Sequence, residues 1–357
     1  MSELDDLLDD MFGAASEHAG EGTADAIWQT LVEAGLTRVG VPEELGGSGG
    51  GHRDAAVIVT RAAEAGLSAP LAEAMFPVAQ LARAAGAPVP PGIVAVAILG
   101  PGSWAPDPRG CRIRGGVTAG WGERADELWV VAPVDDKHAR LARLHPGAWR
   151  SRPGRNLAGE PRDAVEADAT LGSEHAWLLP AEAIEATRLM AALGRSCQLL
   201  GALRACLRLS CEYALLRHQF GRPLAAHQVV RHAIAGMVEE VAAAETAVSH
   251  AVGLLPEPGD ARQAPGPAAA LAIAAAKVST ARSATRVARA AHQLHGAVGL
   301  TAEHPLHFYT TRLWAWRDEC GSAGYWSARI PGIVRDAYHG DLWTALTAQG
   351  QASADNA

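Results

Sequence analysis

The run Arg217-His218-Gln219-Phe220-Gly221-Arg222-Pro223-Leu224 is answered further along the chain by Gln293-Leu294-His295-Gly296-Ala297-Val298-Gly299-Leu300-Thr301. Both sit among segments with a helical repeat of apolar residues. Upstream of the first, Met190, Leu193, Cys197, Leu200, Leu203 and Leu207 recur at spacings of three and four, so one face of a long helix is apolar and packs inward. Further helices are predicted over about 225–254, 267–294 and 305–338, and the Pro- and Gly-rich run 256–267 reads as a linker. Four helices joined by modest loops form a bundle. Gly221 turns the chain from one helix into the next, since glycine takes positive φ without a steric penalty.

The chain before the bundle divides in two. From Asp5 to about Pro91 the pattern is helical, broken at Val41-Pro42-Glu43-Glu44-Leu45-Gly46-Gly47-Ser48-Gly49-Gly50-Gly51. From Gly92 to Leu179 the period changes. Ile93–Leu99 and Glu127–Val134 are short apolar runs bounded by Gly, Pro and Asp, the signature of buried strands, and Cys111–Gly116 supplies a strand and turn between them. The rest of that block, rich in Arg, Pro and Gly, has no clear assignment. The expected organisation is a mainly α protein with a small β domain: a helical domain over 1–91, a reduced middle β domain over 92–180, a helical bundle over 181–345 and a disordered tail over 346–357.

The two opening motifs resemble the paired signatures of the C-terminal helical domain of acyl-CoA dehydrogenases, flavoproteins that desaturate coenzyme A thioesters between the α and β carbons. The loop 41–51 and the Pro70-Leu71-Ala72-Glu73 step are similar to the N-terminal domain of that family. The resemblance implies the acyl-CoA dehydrogenase fold: an N-terminal helical domain, a middle β-barrel-like domain and a C-terminal four-helix bundle. It also implies an FAD site. Arg217 and Gln219 match residues that reach the pyrophosphate of a neighbouring subunit's flavin, a task suited to the planar fork of arginine. Phe220 matches the residue beside the adenine, Gln228 a glutamine that holds the same region, and Gln293 and Gly296 positions that approach the diphosphate half. Taken singly, Arg217 is equally explained by a helix dipole and Gln293 by a helix cap.

The chemistry needs a carboxylate that removes the α proton while hydride leaves the β carbon. In the family this glutamate commonly opens an E-G-T/S triplet, which falls here on Cys320-Gly321-Ser322; a second family location falls at about Met190, Ala191 and Ala192. Neither carries a carboxylate. Glu319, next to Cys320, is the candidate for a shifted base. The T-E-P-x-x-G-S-D and W-x-T/S segments that cradle the flavin ring have no match, the corresponding stretch reading Ala97-Ile98-Leu99-Gly100-Pro101-Gly102-Ser103-Trp104. What remains is the part that, by resemblance, reaches across an interface to another subunit's flavin, and what is missing is the part that would hold this chain's own ring and base. This chain is therefore similar to the degenerate member of heteromeric α2β2 acyl-CoA dehydrogenases of bacterial steroid catabolism. The implied partners are an acyl-CoA substrate, a second acyl-CoA dehydrogenase-like subunit and, as acceptor, an electron-transfer flavoprotein. The alternatives are a homomeric enzyme using Glu319, and a helical interaction protein without flavin.

Composition narrows the classes. A formal charge of -8 and the absence of basic runs exclude a nucleic-acid surface. No stretch reaches the roughly 20 apolar residues of a membrane span, and Asp5, Asp6, Asp9 and Asp10 follow Met1 in place of a basic leader, so a cytoplasmic protein is expected. Cys111, Cys197, Cys206, Cys211 and Cys320 show no Cys-x-x-Cys spacing and read as small core residues. The pairs His292/His295 and His304/His307 lack the carboxylates of a metal site and read as packing or surface residues, so no metal is expected.

Overall fold

A computed structural model describes residues 8, 11–12, 23–108, 110–256, 264–301 and 303–345. The expected tail over 346–357 and residues 1–7, 9–10 and 13–22 at the start of the first helical stretch lie outside the described residues. The first helices are α1 (Thr23–Glu33), α2 (His52–Glu64) and α3, built of Leu71–Glu73, a π turn over Ala74–Val78 and Ala79–Ala85. Pro77 accounts for that wider turn, because it has no N–H to give to the regular ladder.

Two four-stranded sheets follow. The first has the order β1 (Val94–Ile98), β4 (Glu127–Pro133), β5 (His138–Leu144), β8 (Ala176–Pro180), with β1 parallel to β4 and the other pairs antiparallel. The second is antiparallel: β2 (Trp104–Asp107), β3 (Gly110–Gly120), β7 (Arg162–Leu171), β6 (Trp149–Arg152). Strand alternation buries Cys111, Ile113 and Ala119 of β3 against Val165 and Ala167 of β7. The expected turn at Gly115-Gly116 is absent: β3 runs straight through both glycines, paired with β7 along its whole length. Long-range pairing overrides the local preference of a Gly-Gly step for a turn.

The bundle consists of α4 (Glu182–Leu216), α5 (Gln228–Gly253), α6 (Pro267–His295), α7 (Leu306–Trp316) and α8 (Ala323–Tyr338). Two expectations change here. The segment 305–338 is two helices, because Cys320 (φ 54°) and Gly321 (φ 93°) adopt left-handed backbone between α7 and α8. And α4, at 35 residues about 50 Å long, is more than a one-faced helix. Every residue from Ala192 to Leu203 is buried, since α2, α6 and α7 surround its middle turns. Gly201 makes the closest crossing possible: a Cβ there would overlap the Thr60 carbonyl oxygen of α2. Among the cysteines Cys111, Cys197 and Cys206 are core, as expected, but Cys211 is half-buried and Cys320 is exposed, carried outward by its left-handed turn.

Candidate active-site cavity and cofactor surface

A cavity of about 470 Å³ opens where the two sheets meet the helices. Apolar walls come from Pro77 of α3, Val96 and Ile98 of β1, Val117 of β3, and Tyr325 and Trp326 of α8. Ala191 of α4 and Cys320 also line it. The fold thus brings together on one cavity both places where the sequence lacks the expected glutamate.

Arg162, Arg195, Glu73 and Glu319 form a charged network on one side of the cavity, and Arg188, 3.5 Å from Glu185, lines it as well. Arg195, 4% exposed, donates from Nη2 to Glu73 Oε1 at 2.8 Å and lies 3.2 Å from Glu319 Oε2. Arg162 reaches in from the start of β7, passing over Gly120, whose missing side chain leaves room for the guanidinium, and donates to Glu319 Oε2. Its Nη1 is 3.8 Å from Glu73. Asn156 Nδ2 donates to Glu319 Oε1 at 2.8 Å and to Glu160 Oε2 at 3.1 Å. Glu160 in turn accepts from Trp316 Nε1 at 2.6 Å and Arg312 Nε at 3.3 Å, tying the loop before β7 to α7.

Burial alone would raise the Glu319 pKa, but the charge of Arg195 and the hydrogen bond and charge of Arg162 outweigh it and bring it down to about 2. Burial likewise opposes the Arg195 charge, and Glu319 and Glu73 together hold its pKa raised. A carboxylate held this firmly has little affinity for a proton near neutral pH. Glu319 lies in the irregular turn between α7 and α8 and not on a helix; Cys320 lines the same cavity, while Asp318 pairs with Arg317 at 3.0 Å outside it. The turn is fixed by Trp326 Nε1, which donates to the Cys320 carbonyl at 2.9 Å, and by Ser322 Oγ, which accepts the Tyr325 N–H and caps α8. Sequence reasoning missed Glu73, Arg162 and Arg195. The available signal was Arg195 itself, one arginine inside a run with no other charge from Met190 to Leu203.

Arg217, Gln219, Phe220, Gln228, Gln293 and Gly296 lie at one end of the bundle. Arg217 ends α4, and a two-residue hairpin, β9 (His218–Gln219) against β10 (Arg222–Pro223), carries Phe220 and Gly221 at its tip with positive φ. Phe220 is 88% exposed and touches His227 edge-on. Gln228 opens α5 and faces His232 at 3.2 Å. Gln293 occupies the last turn of α6, and Gly296 ends that helix at φ 61°, ψ -142°, a conformation that favours glycine. The two signatures meet through Tyr213, one turn before Arg217, which stacks on His295 at 4.4 Å and donates to the His295 carbonyl at 3.4 Å. Among the described residues, the Arg217, Gln219 and Gln293 side chains are exposed and have no hydrogen-bond partner within the chain. Exposed Leu215, Leu216, Val298 and Leu300 surround them.

The neighbouring histidines serve packing. His295 and His304 meet edge to face at 4.6 Å, and His292 hydrogen-bonds Thr310 at 2.9 Å. Burial lowers the pKa of all three. Among the described residues no three potential metal ligands converge, and no helix is long and apolar enough to cross a membrane.

Known proteins agree with this architecture. Residues 6–85 match the acyl-CoA dehydrogenase N-terminal domain and residues 177–316 the acyl-CoA dehydrogenase C-terminal domain. The chain is 31% identical over 304 residues to acyl-CoA dehydrogenase IpdE2 of Mycobacterium tuberculosis, covering 84% of this chain and 83% of that protein. The ChsE4-ChsE5 complex from Mycobacterium tuberculosis superposes with a TM-score of 0.81 at 22% identity, covering 94% of this chain and 98% of that one. Butyryl-CoA dehydrogenase from Megasphaera elsdenii gives 0.74 at 18% identity, covering 94% and 98%. The domain matches, the relative that aligns along most of its length and the shared fold place this chain in the acyl-CoA dehydrogenase family, oxidoreductases that act on CH–CH donors.

Proposed function

We propose that this chain is a subunit of a heteromeric, FAD-dependent acyl-CoA dehydrogenase, contributing a cofactor clamp and leaving the catalytic base to an unlike partner chain. The observation that carries this reading is the cavity. Ala191 and Cys320 stand where the family's carboxylate is expected, and the two carboxylates that do line the cavity, Glu73 and Glu319, are both held by arginines.

The exposed end of the bundle suits the adenine and diphosphate half of FAD. Arg217, Gln219 and Gln293 present unused donors to an anionic pyrophosphate. Phe220 offers a bare aromatic face for a flat base, supported by Gln228 at the start of α5, and Gly296 lets the backbone approach closely. Bound there, FAD would supply the hydride acceptor for the α,β-desaturation of an acyl-CoA thioester. This chain would fix one half of the dinucleotide and shield it from water, while proton removal belongs to the partner. The similarity to a ChsE4-ChsE5 complex supports assembly of unlike chains, and an electron-transfer flavoprotein fits as the acceptor.

The test is purification of the chain alone and after co-expression with candidate unlike acyl-CoA dehydrogenase chains. Flavin absorbance and thioester oxidation are expected only for the complex. Arg217→Ala is expected to lower FAD affinity about tenfold to a hundredfold, the worth of a charge-assisted contact, with the complex still assembled. Flavin binding and turnover by the chain alone, abolished by Glu319→Gln, would instead establish the homomeric enzyme. Assembly without flavin under every condition would leave the interaction protein.

A further inference from the structure

A groove of about 610 Å³ runs between α2, α4 and α5 and shares no residue with the cavity or the clamp. Its α2 wall is one helical face, since Ala56, Val57, Thr60 and Arg61 follow Arg53 at intervals of three, four, seven and eight residues. Leu200 and Arg204 of α4 stand one turn apart, as do Val248 and Val252 of α5. An apolar strip through Val57, Leu200, Val248 and Val252 therefore lies among guanidiniums, with Val57 left 38% exposed. Along α2, Arg53 and Arg61 are about 12 Å apart.

Three arginines line this groove and no acid does. Arg204 is already paired: it donates to Glu245 at 2.6 Å and lies 3.9 Å from Glu64. Arg61 is engaged within the chain. Arg53 is different. It is exposed and, among the described residues, makes no hydrogen bond or ion pair. Its neighbour Asp54 is occupied at the start of α2, where it accepts the Gly51 N–H at 2.8 Å.

We propose that this groove binds a single-chain amphiphile with a carboxylate head, a fatty acid of medium length, its head on Arg53 and its hydrocarbon along the apolar strip. The planar fork of arginine matches a carboxylate, and one unpaired guanidinium matches one negative charge. A phosphate monoester brings a second charge, for which the groove offers only guanidiniums already engaged. Burial of hydrocarbon is non-directional and supplies the affinity, while the single cation sets the sign and the orientation of the ligand. The inference is independent of which chain holds the flavin ring.

The probe is decanoate below its micellar concentration, titrated calorimetrically into the purified full chain in the assembly it forms. One molecule is expected to bind per copy of this chain, with hexanoate at least about tenfold weaker because less hydrocarbon is buried. Decyltrimethylammonium, of the same chain length and opposite charge, is expected to be weaker still. Arg53→Glu turns the attraction into repulsion, and Ser249→Trp fills the groove from its α5 wall; both positions are exposed. Each is expected to weaken decanoate binding at least about tenfold, read in whichever variant keeps the melting transition of the parent. Equal binding of the cationic amphiphile would overturn the role of Arg53, and tighter binding of decyl phosphate at pH 8 would overturn the carboxylate head. Binding that survives in both folded variants would place the ligand elsewhere and overturn the site, as would no binding of decanoate at all. None of these results touches the flavin reading, which is decided by absorbance and turnover of the assembled enzyme.

Discussion

Glu319 concentrates the difference between a neighbour in sequence and a neighbour in space. Standing beside Cys320, it reads in the sequence as a shifted base; in the fold it is paired with Arg162, Arg195 and Asn156, which suits a structural anion. Glu319→Gln would leave two buried guanidiniums short of a counter-charge and is expected to cost about 3 kcal/mol, read as a shift in the urea midpoint. The same variant should leave turnover of the assembled enzyme intact at temperatures where it stays folded; loss of turnover with unchanged stability would reverse the assignment. His52 gives a pH signature. Burial, reinforced by the nearby Arg83 charge, lowers its pKa from 6.5 to about 4. The unfolded chain therefore binds this proton more readily, so the contribution to stability is complete above pH 6.5 and is lost as pH falls toward 4. At most about 3 kcal/mol is at stake. His52→Gln should flatten the stability profile in that window, whereas Glu319 acts lower, between its ordinary value of 4.5 and about 2.

Helix α4 shows why a periodicity argument stops short. Its leucines and cysteines recur on one face, yet Ser196, Gln198 and Arg195 on other faces are buried too, because neighbours pack around it. Hydroxyls solve the polar problem locally: Ser196 and Ser210 donate to carbonyls one turn back, at 2.8 Å each. Gly201→Ala would push against the α2 backbone at Thr60 and is expected to destabilise by about 1–3 kcal/mol. Gly236→Ala, on α5 where an added Cβ meets nothing within 4 Å, should stabilise by about 0.5–1 kcal/mol. Denaturant midpoints of the two variants, moving in opposite directions, check the pair. The break between α7 and α8 was hidden for a related reason. A single Gly321 is a weak stop signal, and the left-handed turn is held by a tryptophan six residues from Cys320 through a carbonyl that periodicity does not register.

In the assembled enzyme, the hairpin at Phe220 and the end of α6 should be covered. Amide hydrogen exchange over 217–224 and 296–301 is expected to slow when the partner and FAD bind; unchanged exchange there would rule out this end of the bundle as the interface. The order of helices, sheets and bundle was legible from changes in apolar period, because that signal is local and repeats over a few residues, and the two short motifs marked residues that the fold leaves exposed at one end of the bundle. Strands β5 to β8 escaped, since their Arg-rich text alternates around residues buried only by partners distant in the chain. The meeting of Glu73, Arg162, Arg195 and Glu319 was likewise invisible in the text. These residues come from a helix, a strand, a second helix and a turn, and only folding brings them close enough for opposite charges to pair out of water. The amino-acid order therefore set the family and the elements, through local propensity and hydrophobic pattern. Packing set the chemistry of the cavity, because electrostatics acts through space and depends on burial, neither of which sequence separation encodes.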